Sequence, residues 1–473
     1  MVNIEIIKTP YLIIDDVCKS IKNKGGVFIV DNNIQNKFIM NILNVDDKDI
    51  ESLECDNDLD GNLTLNVKLV RKESDVCPAC NKPGKVHGYN TKKLTHSIFA
   101  NRTCVIFFKQ RRYKCVDCDL TFSESNPFAK RNDKLTLETV VNILKDLKRV
   151  NVTYNQVASR YNVTATEVQR IFDKHVNIKP HIMPEALSID EHYFPNSDSD
   201  GLYMFIMMDF KTGEFIDIYP DRRKNYLISK FSAIKNRTYN DKTHTSELSR
   251  VKYISMDLND YYRQVCKLYF HQSVICADEF HVIKNLNDAF DSVRKRCRRN
   301  CDSDLYIYLL TKFDRVLSVD ANLDNTGKYN RRIGQYINYR GIRDMIFDAF
   351  PDIKKAYELK EDYILFNRTC TLENAESELE KQIEAFKNCD IKEYKAFASM
   401  LDNWKKEIVN SFIIVDGKRI NNSYIESRNK QVASLMYNAN GLSNFKRTRN
   451  RLMYCINKND SYWLNINDIF SSH

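Results

Sequence analysis

Three short apolar runs rich in β-branched and aromatic residues stand close together between residues 186 and 219. They are Ala186–Ile189, the run Leu202–Phe210 and the run Phe215–Tyr219. Lys211, Thr212 and Gly213 separate the second from the third, which reads as a hairpin turn. The pattern then changes period. A helical stretch begins near Tyr226, a strand runs over Val251–Met256, Asp260–Tyr269 is amphipathic with a helical period, and Ser273–Ala277 is a further strand. Three antiparallel strands, helix, strand, helix, strand is the succession of a ribonuclease H-like α/β fold, in which the fourth strand lies beside the first. Asp190 sits in the first strand among residues expected to be buried, where a carboxylate is costly unless it is paired or binds a metal. Asp257 ends the fourth strand and would be its neighbour. Alternation of side chains turns Glu191 to the opposite face.

The pattern elsewhere is coarser. Residues 1–70 carry two possible helices and an alternating strand at Asn62–Val70, and no role is assigned to them. Leu135–Val150 has apolar spacing of three and four. Beyond it, Tyr154–Ile171 fits a helix-turn-helix: a small Ala158, a turn at Asn162, a buried Val163, an N-cap at Thr164, and Val168 and Ile171 facing inward. The second helix would present Thr166, Gln169 and Arg170 to a major groove; a plain helical hairpin is the duller account. From Val282 to about Phe412 the sequence is helical and charged, with its densest basic cluster at Arg294–Arg299, which fits DNA phosphates or a solvated helix face equally. Glu426 lies in a helix opening near Asn421, where a first-turn Glu also suits the helix dipole. A last basic helix, Ser443–Ile456, follows the break at Asn440 and Gly441.

Composition adds limits. At 473 residues the chain exceeds one core and should hold about two to four domains. A net charge of +9 allows a polyanionic partner without requiring one. No apolar run reaches bilayer length and the start lacks a signal-peptide layout, so a cytoplasmic, nucleoid-associated protein with no membrane partner is expected, its 14 cysteines mostly reduced. Four of these stand apart. Cys77 and Cys80, then Cys115 and Cys118, form two CxxC knuckles, the donor set of one structural Zn2+. The long gap between the knuckles must hold a β-hairpin, and His87, His96 and Cys104 are substitute ligands. Arg111 and Arg112 on that hairpin are candidate phosphate contacts, with a solvated strand face as the alternative.

Taken in order, the double knuckle, the helix-turn-helix, Ile189-Asp190-Glu191, Met256-Asp257 with Tyr261, Ala277-Asp278 with Phe280-His281-Val282, and Ile425-Glu426 with Asn429 resemble the DDE transposases of the bacterial ISL-three insertion-sequence family. The resemblance covers roughly residues 70–456. It implies an α/β ribonuclease H-like catalytic core interrupted by a large all-helical insertion and preceded by a zinc ribbon and a helix-turn-helix domain. The corresponding spans are 71–128 for the ribbon, 129–180 for the helix-turn-helix, 181–281 and 416–473 for the core, and 282–415 for the insertion. It also implies a catalytic triad of Asp190, Asp257 and Glu426 holding two Mg2+ (or Mn2+) ions, with Asp278, His281 and Asn429 in support. The implied partners are double-stranded DNA, as terminal inverted repeats and target, and further copies of the chain, as a homodimer or larger assembly on DNA. Asp278 is a rival to Asp257 as second ligand. Ser427 and Asn162 depart from the family's usual glycines. A transposase-derived DNA-binding regulator without catalysis and a structure-selective nuclease are the alternatives.

Overall fold

The computed structural model describes Leu43 and residues 45–464, apart from 60, 74, 100–101, 131, 195–200, 236–245, 319–321 and 440–443. The helices expected before residue 43, and the break at Asn440 and Gly441, lie outside the described residues. The chain divides into two compact units, one built on residues up to Ile178 with short C-terminal pieces, the other on Lys179–Ala433 and the helix Phe445–Ile456.

In the first unit, β1 (Ile50–Asn57), β2 (Leu63–Leu69), β3 (Gly84–Phe99), β4 (Arg102–Cys115) and β5 (Thr121–Ser123) form one sheet. Its order is β1-β2-β4-β3, with β5 paired to β4. The core side of β4 follows strict alternation through Cys104, Ile106 and Phe108, which pack with Leu65, Val67 and Leu94. The break expected at residue 70 therefore does not interrupt the structure, because β2 pairs in parallel with β4, Leu63 opposite Cys104. Such a non-local pairing leaves no local trace in the chain.

Arg111 corrects an expectation. It is buried, only 4% exposed, and its guanidinium donates to Glu124 at 2.8 Å and to the Leu69 carbonyl at 2.5 Å, with Glu51 a third partner. It is an internal ion pair and offers nothing to a phosphate. Arg112, its neighbour, is exposed.

Three helices follow: α1 (Leu137–Leu147), α2 (Tyr154–Arg160) and α3 (Ala165–His175). Thr153 and Thr164 cap α2 and α3, each accepting a backbone N–H three residues on. Asn162, between them, has φ +50°, the left-handed turn conformation that Asn tolerates. Ala158, Val168 and Ile171 are buried, whereas Val163 is only half-buried.

The second unit centres on a five-stranded sheet of order β10-β9-β6-β7-β8: β6 (Ala186–Tyr193), β7 (Tyr203–Asp209), β8 (Phe215–Tyr219), β9 (Tyr253–Met256) and β10 (Val274–Ala277). β7 and β8 run antiparallel; β9 pairs in parallel with β6, and β10 with β9. Gly213 closes the β7–β8 turn with φ +68°. The strands are buried on both faces, as a helix-covered sheet requires. Leu187, Ile189, Phe205 and Ile254 pack on one side with Leu227 and Phe231 of α4 (Lys224–Lys235) and Val265 of α5 (Asp260–Tyr269). Ala186 and Cys276 face the other way, with Val415 and Ile420.

After β10 come α6 (Glu279–Arg299), α7 (Asp304–Lys312), α8 (Tyr339–Ala349), α9 (Pro351–Thr369), α10 (Leu372–Lys387), α11 (Lys392–Asn403) and α12 (Lys405–Asn410). This stretch is not purely helical: a hairpin, β11 (Lys328–Asn330) and β12 (Gln335–Ile337), interrupts it. In the basic cluster, Arg294 is buried on Asp291 and the Leu310 carbonyl, and Arg296 pairs with Glu393 and Asp352. Both are fastened inside the helical packing. A second short hairpin, β13 (Ile414–Val415) and β14 (Lys418–Arg419), leads to α13 (Ser423–Ala439) and then α14 (Phe445–Ile456).

Losing one partner of a buried ion pair leaves an uncompensated charge. Arg111→Ala is expected to lower unfolding free energy by about 3 kcal/mol, and Arg112→Ala by less than about 0.5 kcal/mol, in urea denaturation. Equal effects would contradict the burial of Arg111.

Candidate active site and metal sites

The parallel strands set the site. Ser188 lies opposite Ser255, and Met256 opposite Ala277. Carrying each register forward puts Asp190, Asp257 and Asp278 level with one another, where β9 and β10 end beside the middle of β6. Open α/β sheets bind ligands at this edge. Asp190 shares a face with Ala186 and Ser188, and its neighbour Glu191 points to the opposite side. There Glu191 accepts from Tyr262 Oη at 2.5 Å and pairs with Arg222, whose guanidinium lies 4.0 Å from the centre of the Tyr203 ring.

Asp190 is buried. Its Oδ1 accepts the Glu191 backbone N–H at 2.7 Å and its Oδ2 accepts Asn429 Nδ2 at 2.6 Å. Burial, followed by the charge of Asp257, pushes its pKa up to about 7. Asp257 is also raised, first by burial. His281 Nδ1 stands 2.9 Å from Asp257 Oδ1 and 2.8 Å from Asp278 Oδ2. The Nδ1–H is within hydrogen-bonding reach of both carboxylates, with the closer contact to Asp278. Burial works against the imidazolium, but the two carboxylates outweigh it and raise the His281 pKa to about 10.

Asp278 is fully committed. Its other oxygen accepts the Asn422 backbone N–H at 2.9 Å, and Asn422 Nδ2 reaches the Ile189 carbonyl at 3.3 Å. Asn422 was not singled out in the sequence. An Asn immediately before a helix that brings in a carboxylate was the signal available. Glu426 sits in the first turn of α13, half-buried, and burial and the charge of Asp278 raise its pKa. Glu426 Oε1 and Asn429 Oδ1 are buried without a hydrogen-bond partner, and buried Asp257 Oδ1 has only the His281 N–H that it shares with Asp278.

Asp190, Asp257, Asp278 and Glu426 thus interact electrostatically around a single imidazole. Among the described residues, the acidic group with ligand atoms all within 4.8 Å of one another is Asp257, Asp278 and His281; Asp190 and Glu426 stand outside that limit. Hard oxygen donors, with an oxygen of Asp257 and one of Glu426 short of partners, and surplus negative charge suit a divalent cation such as Mg2+ or Mn2+.

The second cluster is of a different kind. Cys77, Cys80, Cys115 and Cys118 bring their sulfurs together, with Sγ–Sγ separations of 3.4 Å for Cys77–Cys118, 3.4 Å for Cys80–Cys115 and 3.7 Å for Cys80–Cys118. Four thiolates about 2.3 Å from a tetrahedral Zn2+ would lie roughly this far apart. Backbone N–H groups of Cys118 and Asp117 lower the Cys115 pKa to about 7, favouring the thiolate. The substitute ligands are elsewhere: Cys104 is in the sheet core, His87 is exposed, and buried His96 lies 3.0 Å from Thr136 Oγ1.

Of the candidate DNA contacts, Thr166 is exposed, Gln169 half-buried and Arg170 exposed. Arg170 donates to both oxygens of Glu167, at 2.6 and 2.8 Å.

A family model described as transposase, of the ISL-three DDE type, matches residues 187–452, more than half of the chain. The chain belongs to the ISL-three family of DDE transposases. No curated protein matches it. As a transposase the chain acts on DNA, and its family uses divalent metal. No helix among the described residues is long and apolar enough to cross a membrane.

Metal analysis of the purified chain is expected to return about one zinc per chain, lost in a Cys77→Ser, Cys80→Ser double variant. Zinc content unchanged by that variant would refute the four-cysteine assignment.

Proposed function

We propose that this transposase mobilises a bacterial insertion sequence, binding its terminal inverted repeats and performing cleavage and strand transfer at Asp190, Asp257 and Glu426 on a ribonuclease H-like core. The strand order, with the fourth strand beside the first, supports that fold assignment. The observation that carries the reading is the convergence of Asp190, Asp257 and Glu426, each with its pKa raised first by burial, and with an oxygen of Asp257 and one of Glu426 short of partners.

A phosphodiester resists attack because negative charge surrounds the phosphorus. Bound divalent cations would neutralise the charge on the attacking and leaving oxygens. The protein's share is positional. Asn429 orients Asp190. His281 holds Asp278, and Asp278 in turn fixes the start of α13, the helix that carries Glu426. With both oxygens of Asp278 committed, Asp257 is the better second ligand. Water attacks first and frees a 3′-hydroxyl at the element end; that hydroxyl then attacks target DNA, and no covalent protein intermediate is needed.

Repeat recognition is assigned to the first unit, through Thr166, Gln169 and Arg170 of a helix-turn-helix and through Arg112. Arg170 would exchange Glu167 for a phosphate or base edge. Arg111 is withdrawn from this set.

Asp190→Ala, Asp257→Ala and Glu426→Ala should each abolish Mg2+-dependent end cleavage and strand transfer while leaving repeat binding intact, because the contacts that position DNA lie elsewhere. The losses should be similar and non-additive. Asp278→Ala should impair folding or the placement of Glu426 without removing a metal ligand. Near-normal cleavage by Asp257→Ala, beside a dead and metal-free Asp278→Ala, would transfer the second-ligand role to Asp278.

A further inference from the structure

The hairpin β11–β12 differs in character from the helices around it. Tyr329 and Tyr336 are direct cross-strand partners with ring centres 5.4 Å apart, edge to face, yet they are 55% and 78% exposed. Leaving two large aromatic rings in water contributes little to a core. The hairpin is nonetheless well held. Ile333 and Ile337 pack against the main hydrophobic cluster, Asn330 Oδ1 accepts the backbone N–H groups of Arg332 and Ile333, and Gly334 closes the turn at φ +80°.

Charge here has one sign. From residue 325 to 343 there is no Asp or Glu, while Lys328, Arg331, Arg332, Arg340 and Arg343 all fall in that span. Flanking Asp324 and Asp344 pair with Arg340 and Arg343. Arg332 lies over the Tyr308 ring at 4.4 Å. Lys328 and Arg331 are exposed, and neither pairs with a described carboxylate. The result is a firmly seated two-stranded ribbon displaying an aromatic pair flanked by two cations, Lys328 and Arg331, that have no counter-charge among the described residues.

We propose that this ribbon is a DNA-docking surface, Lys328 and Arg331 contacting phosphates and the tyrosine pair lying against sugars and base edges. A two-stranded ribbon fits the major groove of a duplex, and exposed cations at its edges suit the phosphates on either side. Tyr and Arg also suit protein interfaces, but five cations with no acidic residue between 325 and 343 are complementary in charge to a polyanion. The inference rests on the transposase reading and adds a second DNA contact, distinct from both the carboxylate site and the first unit.

The test is fluorescence anisotropy of the full-length, zinc-loaded chain on a random-sequence duplex over a salt series. A Lys328→Ala, Arg331→Ala variant should reduce the slope of log affinity against log salt by about 1.8, the value for two lost phosphate contacts. A Tyr329→Ser, Tyr336→Ser variant should bind about tenfold more weakly with the slope unchanged, because the rings' burial against sugars and base edges is lost while no phosphate contact is. Lys381→Ala, which removes an exposed lysine paired with Glu378 on α10, should keep the wild-type slope, and thermal unfolding confirms that each variant is folded. If both ribbon variants match a duplex-binding wild type in affinity and slope, the ribbon proposal is overturned and the transposase reading stands. The same holds if they alter only the oligomeric mass in light scattering, which would make the ribbon a protein interface. A wild type that binds no duplex overturns both readings.

Discussion

Four carboxylates and one imidazole packed where the parallel strands β9 and β10 end beside β6 impose the constraint on which the second unit depends. Burial disfavours each charge and proximity disfavours them jointly. Asp190 answers with an amide from Asn429 and a backbone N–H, and Asp278 answers with His281 and the backbone of Asn422. Asp257 and Glu426 each keep an oxygen short of partners. Under the proposed reading Asp278 is positional, because its partners fix the start of α13, whereas Asp257 and Glu426 are where a cation would gain most. Asp190 would exchange part of its bonding to Asn429 and the backbone for the metal.

In the first unit a buried charge has the opposite meaning. Arg111 and Glu124 satisfy one another inside the sheet, with Glu51 and the Leu69 carbonyl completing the fork. The pair joins β4 to the strands before it and the chain after it, which helps place Cys115 at the end of β4 against the Cys77 knuckle. Removing the polypeptide before residue 71 would take away two partners of this guanidinium along with two strands of the sheet. The cysteine hairpin is therefore part of a larger layer.

What was legible in the chain was what local period and donor chemistry determine. Alternation at Ala186–Glu191 correctly separated the faces of Asp190 and Glu191, and the succession of elements put β9 beside β6. The paired CxxC spacing brought four sulfurs together. What failed depends on distant partners. Gln110 and Arg111 are both buried, a lapse in the alternation of β4 that makes sense only with Glu124 and Glu51 in view. The parallel pairing of β2 with β4 crosses the expected boundary at residue 70. The hairpin at Lys328–Ile337 was hidden because its strands are three residues long and present tyrosine and charge instead of an apolar face.

The long helical segment raises a physical question: Glu426 must arrive within reach of Asp257 after well over a hundred intervening residues. Its departure and return points are tied together. Arg419, just before α13, donates to the Asn367 carbonyl at 2.7 Å and the Ser411 carbonyl at 2.9 Å, with its guanidinium 3.6 Å from the centre of the Phe412 ring. Asn367 also bonds Glu279, the first residue of α6 and the neighbour of Asp278. Asn410 Nδ2 reaches the Ile275 carbonyl at 2.8 Å, inside β10 itself. The segment thus leaves the sheet at Asp278 and comes back to the same place, where the backbone N–H of Asn422 meets the Asp278 carboxylate. Because both ends are bound at one point, changes in the middle of the insertion need not move the carboxylates. The hairpin β11–β12 lies in that middle stretch, so its exposed face is free to serve a binding role without disturbing the position of Glu426.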